Sequence, residues 1–145
     1  MTAGGKTARF FLDSNVFVYT FDRSAPRKGK RAAELIREAV ETGRGVVSYQ
    51  TVQEFFNVAL QKFPQPLSSA EAEEFFATIF RPMLAVHSSN ALYIEALQIK
   101  RKYNFRWYDA LMIASALTAE CRIFYSEDLQ HGQQIESLRV ENPFR

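Results

Sequence analysis

Short apolar runs alternate with longer segments of helical spacing along most of the chain. Runs of apolar residues that stop at polar residues are typical of buried strands, whereas apolar residues that recur every three or four positions are typical of helices. The predicted strands cover residues 9–12, 45–48, 83–86, 123–125 and 138–140. The predicted helices cover residues 16–21, 31–41, 51–63, 69–81, 90–103 and 109–117. Residues 22–30, which are charged and contain a proline and a glycine, predict a loop.

Local signals mark several helix ends. Gly43 is placed to end the second predicted helix, and Pro64 breaks the third. Ser68 and Glu71 have the spacing of a capping box, which opens the fourth helix. The alternation of strands with helices predicts an α/β fold in which one mostly parallel central sheet carries helices on both faces. At 145 residues the chain is expected to form a single domain, residues 1–145.

The composition narrows the class of protein. No apolar run approaches the roughly 18 residues that a membrane helix needs, and the start of the chain lacks an apolar signal segment, so we expect no membrane association. The single cysteine, Cys121, excludes an internal disulfide and fits a reducing cytoplasm, where we expect the protein to act. One cysteine and two histidines also disfavour a zinc site. A net charge of +2 permits a nucleic-acid partner without requiring one.

Acidic residues stand where the predicted topology brings distant segments together. Asp13 ends the first strand, and Asp128 follows the strand over residues 123–125. Glu54 is predicted in the first turn of the helix after the second strand, and Asp109 begins the last helix. In a parallel sheet whose helices run antiparallel to the strands, strand ends and helix starts share one edge, where ligands bind. We therefore expect all four carboxylates to face one site.

Four carboxylates at one site would repel one another unless a cation lay among them. Oxygen ligands without cysteine or histidine are those that Mg²⁺ or Mn²⁺ prefers. Such an ion lowers the pKa of a bound water and neutralises charge on a phosphoryl oxygen, which is the chemistry of phosphodiester hydrolysis. The set of acids therefore indicates a metal-dependent hydrolase that acts on phosphodiesters.

Each acid also has a purely structural interpretation. Glu54 completes a capping-box pattern with Thr51, and an aspartate such as Asp109 is favoured in the first turn of a helix whatever its function. Asp13 and Asp128, taken singly, are ordinary turn residues. The coincidence of four acids at one edge favours the functional interpretation.

Residues beside the four acids have open roles. Ser14 and Asn15 are either turn formers or groups that fix Asp13 or a metal-bound water. Glu127 is a secondary candidate, because only one of two adjacent acids readily points into a shared site. Two basic clusters flank the predicted edge: Arg23, Arg27, Lys28, Lys30 and Arg31 in one, and Lys100, Arg101, Lys102 and Arg106 in the other. Such clusters indicate solvated helix faces or, alternatively, contacts with phosphates.

Five segments together resemble the PIN-domain family, and most closely its VapC-type toxins. They are LDSNV at residues 12–16, QEFFNV at 53–58, WYDALMIASAL at 107–117, YSEDLQHGQ at 125–133 and VENPF at 140–144. The third and fourth segments are the most specific, and the resemblance spans nearly the whole chain in order. One departure is Ser14, where threonine is commoner in the family, but the hydroxyl group is retained.

The resemblance implies a PIN fold and an endoribonuclease that depends on Mg²⁺ or Mn²⁺. It also implies a homodimer and inhibition by a small VapB-like antitoxin on a separate chain. The family's metal-binding and catalytic acids carry over onto Asp13, Glu54, Asp109 and Asp128. In the leading hypothesis the three aspartates hold the metal, directly or through water, and Glu54 orients or deprotonates the attacking water. An antitoxin is expected to direct an arginine or lysine toward these acids.

Two other classes of protein remain open. One is a catalytically inactive PIN-fold module that binds RNA or a partner, and the complete set of acids argues against it. The other is a phosphatase or receiver domain that forms an aspartyl phosphate at the same edge of the sheet. A haloacid-type phosphatase would need a second aspartate where this chain has Asn15. A receiver would need paired acids at the end of the first strand, where Asp13 stands alone.

Overall fold

Within residues 8–145, which the computed structural model describes, six strands form one sheet. In chain order they are β1 (Phe10–Leu12), β2 (Gly45–Ser48), β3 (Leu84–Val86), β4 (Ile123–Tyr125), β5 (Gln134–Ile135) and β6 (Leu138–Glu141). Their order across the sheet is β3-β2-β1-β4-β6-β5. All neighbouring pairs are parallel except β5 and β6, which are antiparallel. The predicted, mostly parallel sheet is confirmed.

Helices connect the strands in the described part of the chain. They are α1 (Ser14–Tyr19), α2 (Pro26–Thr42), α3 (Tyr49–Ala59), α4 (Ser69–Phe75), a π-helical turn (Phe76–Phe80), α5 (Arg81–Met83), α6 (Asn90–Tyr103) and α7 (Trp107–Thr118). The predicted bounds of the helix over residues 90–103 and of the strand over residues 123–125 are confirmed. None of the helices in residues 8–145 is both long and apolar enough to cross a membrane.

Successive side chains of β1 pack on opposite faces of the sheet. Phe10 and Leu12 join an apolar cluster with side chains of α1, α2 and α3. Phe11, which lies between them, joins a second cluster with side chains of α6 and α7. This alternation follows from the two-residue period of a strand and places helices on both faces, as the sequence predicts. Because both faces of β1 are covered, all three of its residues are apolar and buried.

The helix α2 begins earlier than its hydrophobic pattern predicts. The predicted loop over residues 22–30 is wrong in its second half, because Pro26 opens the helix. Proline suits a first helical turn, since its φ is already helical and the N–H that it lacks would have no partner there. Gly43 ends the helix in the left-handed conformation with φ 71°, as predicted.

Several other elements differ from the prediction, among them α1, which spans Ser14–Tyr19 rather than residues 16–21. Ser48, rather than Thr51, is the N-cap of α3, so this helix begins and ends earlier than residues 51–63. Pro82 does not end the fourth helix; a π-helical turn follows that helix, and Pro82 then lies in the first turn of α5. The strand β5 was not predicted, because two residues carry no periodic signal and form a strand only through antiparallel pairing with β6.

Gly45 allows β2 to lie against α2. A Cβ atom on Gly45 would lie 2.0 Å from Cβ and 2.7 Å from Cα of Ala39. Neither atom can move without shifting α2, so we expect Gly45→Ala to lower the free energy of unfolding by about 3 kcal/mol in urea denaturation. Gly43→Ala is the control, since it strains a positive φ but meets nothing within 4 Å, and it should cost about 1 kcal/mol. Equal losses in the two variants would contradict the close approach.

Candidate active site

The four predicted acids line one cavity of about 200 Å³ at the carboxyl-terminal edge of the parallel strands. Asp13 directly follows β1 and caps α1, and Asp128 lies shortly after β4. Asp109 is in the first turn of α7, and Glu54 projects from α3. The structure thus brings the four carboxylates together from separate segments, while their catalytic and metal-binding roles stay predictions.

Glu54 lies one turn further along its helix than predicted. The predicted capping box of Thr51 and Glu54 is wrong, because the N-cap is Ser48 and its capping partner is Thr51. Glu54 is therefore not needed at the helix terminus. Its carboxylate instead accepts hydrogen bonds from two other side chains, Ser14 and Gln50. The interpretation of Glu54 as a helix-capping residue is therefore excluded.

Asp13 combines a capping bond with an unfavourable electrostatic environment. Its Oδ1 accepts a 2.6 Å hydrogen bond from the Ser14 backbone N–H, and its Oδ2 accepts a 2.9 Å bond from Ser126 Oγ. Burial, together with the charges of Asp128 and Glu54, raises the pKa of Asp13 to about 6, although the hydrogen bond from Ser126 acts in the opposite direction. Asp13 therefore exchanges a proton within the physiological range in the absence of a cation.

Glu54 is held at both carboxylate oxygens. Ser14 Oγ donates to Oε1 at 2.9 Å, and Gln50 Nε2 donates to Oε2 at 2.9 Å. Gln50 Nε2 also donates to the Tyr108 carbonyl oxygen at 3.1 Å, which ties α3 to the start of α7. Both bonds of Gln50 go to acceptors, so the orientation of its amide is fixed. The buried hydroxyl of Ser14 lies within hydrogen-bond distance of both Glu54 and, at 3.3 Å, Asp13 Oδ1, and its role at a metal-bound water stays a prediction.

Gln50 was not predicted as a site residue, although it lines the cavity and is 4% exposed. Its Oε1 is buried without a hydrogen-bond partner among the described residues. The signal that could have found it is its spacing of four residues from Glu54, which places both side chains on one face of α3. A buried amide four residues from a candidate catalytic acid is a residue of the site.

Asp128 and Glu127 point to different surroundings. Asn15 Nδ2 donates to Asp128 Oδ2 at 2.8 Å, so the amide of Asn15 orients this acid. Glu127 forms a 2.9 Å salt bridge with Lys28 and accepts a hydrogen bond from Tyr19, and it is not among the residues that line the acid cavity. Asp128, the main candidate, therefore lines the acid cavity, whereas Glu127, the secondary candidate, does not.

The negative charge of the site acts on Asp109 as well. Burial raises its pKa above the ordinary aspartate value, and the charge of Asp128 adds to this, while the Arg106 guanidinium acts in the opposite direction. Carboxylates in the cavity thus destabilise one another's ionised forms. The geometry creates a place where a positive ion would be stabilised.

The oxygen atoms of the cavity are suited to a hard divalent cation. Within residues 8–145 no three acidic, histidine or cysteine side chains are close enough to form a complete metal cage. Mg²⁺ in proteins commonly retains several waters and contacts only one or two carboxylates, so a complete cage is not required. The raised pKa values of Asp13 and Asp109 and the orphaned oxygen of Gln50 indicate uncompensated negative potential. The residues present fit Mg²⁺ or Mn²⁺ held partly through water.

The pKa of Asp13 predicts a pH-dependent stability in metal-free buffer. Because the folded pKa is raised from 3.8 to about 6, the protonated form stabilises the fold below pH 4, and this contribution is lost as the pH rises through 6. Asp13→Asn should therefore be more stable than wild type at pH 7.5, by about 1–3 kcal/mol, and nearly equal to it at pH 4. Urea denaturation with a chelator measures both.

A matched control for this prediction is Asp22→Asn. Hydrogen bonds from Ser24 lower the pKa of Asp22, so the control should not gain stability on going to pH 7.5. If the difference between Asp13→Asn and wild type stays constant from pH 4 to 7.5, Asp13 does not titrate in this range.

Comparison with known proteins identifies the fold. A family model described as the PIN domain matches residues 10–133. A search of curated proteins gives no match. Among solved structures, a toxin–antitoxin complex from Klebsiella pneumoniae has a TM-score of 0.63 at 14% identity, covering 92% of this chain and 96% of the other. FitAB bound to an IR36 DNA fragment gives a TM-score of 0.68 at 15% identity, with coverages of 94% and 96%.

A third solved structure is VapC20 of Mycobacterium tuberculosis, described as a Sarcin-Ricin loop cleaving toxin. Its TM-score is 0.59 at 15% identity, and the match covers 81% of this chain and 88% of that one. At such identities these three similarities establish the fold alone. The family model, in contrast, covers most of the sequence, including all four acids. The chain therefore belongs to the PIN-domain family.

Proposed function

We propose that the chain is a metal-dependent endoribonuclease and the toxin of a VapBC-type toxin–antitoxin pair. The observation that carries this proposal is the cavity in which four carboxylates from four separate segments meet. Membership of the PIN-domain family supports nuclease activity. The toxins among the proteins of similar fold support the proposed biological role.

Asp13, Asp109 and Asp128 are the proposed holders of a Mg²⁺ or Mn²⁺ ion. When bound, the ion supplies the positive charge that stabilises a phosphoryl oxygen and lowers the pKa of water. The ionised forms of Asp13 and Asp109 are disfavoured by burial and by neighbouring carboxylates, so both side chains gain from that positive charge. Asn15 contributes indirectly by orienting Asp128.

Glu54 is the proposed group that orients the attacking water and accepts its proton. Ser14 and Gln50 each donate one hydrogen bond to its carboxylate, and the second lone pair of each oxygen remains available. In hydrolysis the water oxygen bonds to phosphorus and one water proton passes to Glu54, while the P–O bond to the ribose oxygen breaks and that oxygen takes up a proton from solvent. The two hydrogen bonds keep Glu54 in one orientation during this transfer.

RNA and a small antitoxin are the proposed partners. The description of VapC20 as a toxin that cleaves the Sarcin-Ricin loop supports an RNA substrate, and the complex from Klebsiella pneumoniae supports an antitoxin. The antitoxin is proposed to direct an arginine or lysine into the acid cavity, where a charge-assisted hydrogen bond would be strong. The homodimer and the cytoplasmic location stay predictions.

The proposed roles predict the effect of removing single charges. Asp13→Asn, Asp109→Asn, Asp128→Asn and Glu54→Gln should each reduce cleavage of a panel of RNAs with Mn²⁺ by about 100-fold or more. Calorimetric titration with Mn²⁺ should show weakened binding in the three aspartate variants. Glu127→Gln is the control, because Glu127 adjoins Asp128 but pairs with Lys28 outside the cavity. This control should retain Mn²⁺ binding.

Two results would overturn parts of this assignment. Retained metal-dependent cleavage by folded Asp13→Asn protein would remove Asp13 from the site. If pure wild-type protein with Mn²⁺ cleaves no RNA in a broad panel, the inactive RNA-binding or partner-binding module becomes the better interpretation. Phosphoryl transfer to Asp13 would instead favour the aspartyl-phosphate class.

Expression in cells tests the toxin role. Induction of the wild-type chain alone should arrest growth and create new RNA 5′ ends, whereas Asp13→Asn should do neither. Co-expression of the neighbouring open reading frame should restore growth if it encodes the antitoxin. Growth arrest that is equal for the wild type and for folded Asp13→Asn protein would contradict a toxin that acts by cleavage.

A further inference from the structure

A basic cavity of about 530 Å³ lies apart from the acids, at the start of α2. Its lining contains four basic residues, Arg27, Lys28, Arg31 and Arg145, and Pro26 and Phe144 supply apolar surface. No acidic side chain of residues 8–145 is among the lining residues. A cavity that combines several cations with apolar walls is suited to a ligand that carries both a negative group and a flat apolar one.

The charges at this cavity run against the preference of the helix. Asp and Glu stabilise a helix N-terminus, whereas cations there are unfavourable because the free N–H groups are already positive. The first turn of α2 contains no acid, and its N-cap, Ala25, offers no capping side chain. Residues 26–31 nevertheless contain four basic residues. A local arrangement that opposes helix stability is typical of functional positions.

The walls of the basic cavity are held in place by specific contacts. Arg31 Nε donates to the Pro143 carbonyl oxygen at 3.1 Å, which fastens the segment that carries Phe144 to α2. The ring of Tyr19 packs edge-on against Phe144 with 5.0 Å between centroids. Lys28 Nζ lies 5.0 Å from the Tyr19 ring centroid and 5.8 Å from that of Phe144. The cavity is therefore built from interlocked side chains.

Acids outside the cavity compensate only some of its cations. Lys28 pairs with Glu127 at 2.9 Å, and Arg31 lies 3.7 Å from Glu34. Arg27 forms no salt bridge within residues 8–145. Arg27 is therefore a cation of this cavity that is available to an added anion.

One ion pair links the basic cavity to the acid cavity. Glu127, the partner of Lys28, immediately precedes Asp128, which lines the acid cavity. A polyanion whose phosphodiester lies at the acids would therefore pass close to Lys28 on one side. RNA matches both cavities, since each nucleotide carries a phosphate and a base, and bases pack well on aromatic surfaces.

We propose that the basic cavity binds one nucleotide of single-stranded RNA, next to the segment that is hydrolysed. Its phosphate contacts Arg27, and its base packs against Phe144 and Pro26. The assignment rests on the proposed function in naming RNA as the ligand. Binding of an acidic protein segment in the same place is the competing outcome of the test.

The test compares two arginines of one helix. Arg27→Gln and Arg37→Gln make the same chemical change on exposed side chains of α2, but only Arg27 lines the basic cavity. Both are placed in the Asp13→Asn chain, which leaves RNA intact under the proposed function. The probe is a fluorescein-labelled, unstructured eight-nucleotide RNA, and its Kd is measured by fluorescence anisotropy across a range of salt concentrations. Thermal unfolding verifies that each variant is folded.

Arg27→Gln should raise the Kd about tenfold and reduce the slope of log Kd against log salt by about 0.7, the value for one lost contact to a single-strand phosphate. Arg37→Gln should leave the Kd within about twofold of its parent. Phe144→Ala should raise the Kd about fivefold or more with little change in slope, because a base contact is lost and no charge is removed. In the wild-type background, Arg27→Gln should raise KM for RNA more than it lowers kcat.

Three outcomes would overturn the proposal: no measurable RNA binding, equal Kd values for the Arg27 and Arg37 variants, or Arg27-dependent binding of an acidic peptide but not of RNA. The two proposals fail separately. If RNA is cleaved in a metal-dependent way but the Arg27 and Arg37 variants have equal Kd values, the nuclease proposal stands and the nucleotide site is excluded. If RNA binding depends on Arg27 but the wild-type chain cleaves no RNA, the nucleotide site is supported and the nuclease proposal fails.

Discussion

The parallel pairing of β1 with β4 is the constraint on which the candidate site depends. Leu12 lies opposite Tyr125 in this pair, so the next residues of the two segments, Asp13 and Ser126, meet beyond the strand ends. The Asp13 backbone N–H donates to the Tyr125 carbonyl at 3.2 Å, and Ser126 Oγ donates to the Asp13 carboxylate at 2.9 Å. A shift of one residue would exchange the faces on which Phe11 and its neighbours Phe10 and Leu12 pack, and so disrupt both apolar clusters. The core therefore fixes the register, and the register fixes the acids.

The buried carboxylate of Asp13 lowers the stability of the fold at neutral pH. The capping bond of Asp13 to α1 stabilises the fold by about 1 kcal/mol, whereas raising its pKa to about 6 corresponds to about 3 kcal/mol against the ionised form. The carboxylate is therefore a net cost at neutral pH when no cation is present. A ligand that binds only the folded state stabilises that state, and its binding free energy can offset this destabilisation. Strain of this kind is expected where function, rather than stability, has determined a residue.

Local sequence signals accounted for much of the fold. The helix over residues 90–103 and the strand over residues 123–125 followed directly from periodicity, and Gly43 ended its helix as a left-handed cap. The location of three aspartates followed from strand ends and a helix start. Elements that depend on long-range partners were missed, since β5 exists only through its pairing with β6.

The interior of the site was less accessible to sequence reasoning. Glu54 was placed in the wrong turn because Thr51 and Ser48 are both plausible N-caps, and only the end of β2 distinguishes them. Gln50 was missed because its importance lies in bonds to Glu54 and to the Tyr108 carbonyl, which lies on another helix. Sequence alone is consistent with Ser14 as a turn residue, because its hydrogen bond to Glu54 on α3 is a tertiary contact. Roles that arise from tertiary hydrogen bonds leave no periodic trace in a sequence.

The ion pair of Glu127 and Lys28 explains how opposite charges coexist within a few residues. By pairing with Lys28 and accepting from Tyr19, Glu127 stays out of the acid cavity and does not add to the repulsion there. The same pair offsets part of the unfavourable positive charge at the start of α2. The acid cavity therefore lies on one side of the Lys28–Glu127 ion pair, and the basic cavity lies on the other. Under the proposed function, an extended polyanion would lie across this boundary, with one phosphate against the positive side chains and the next against a divalent cation held by the acids.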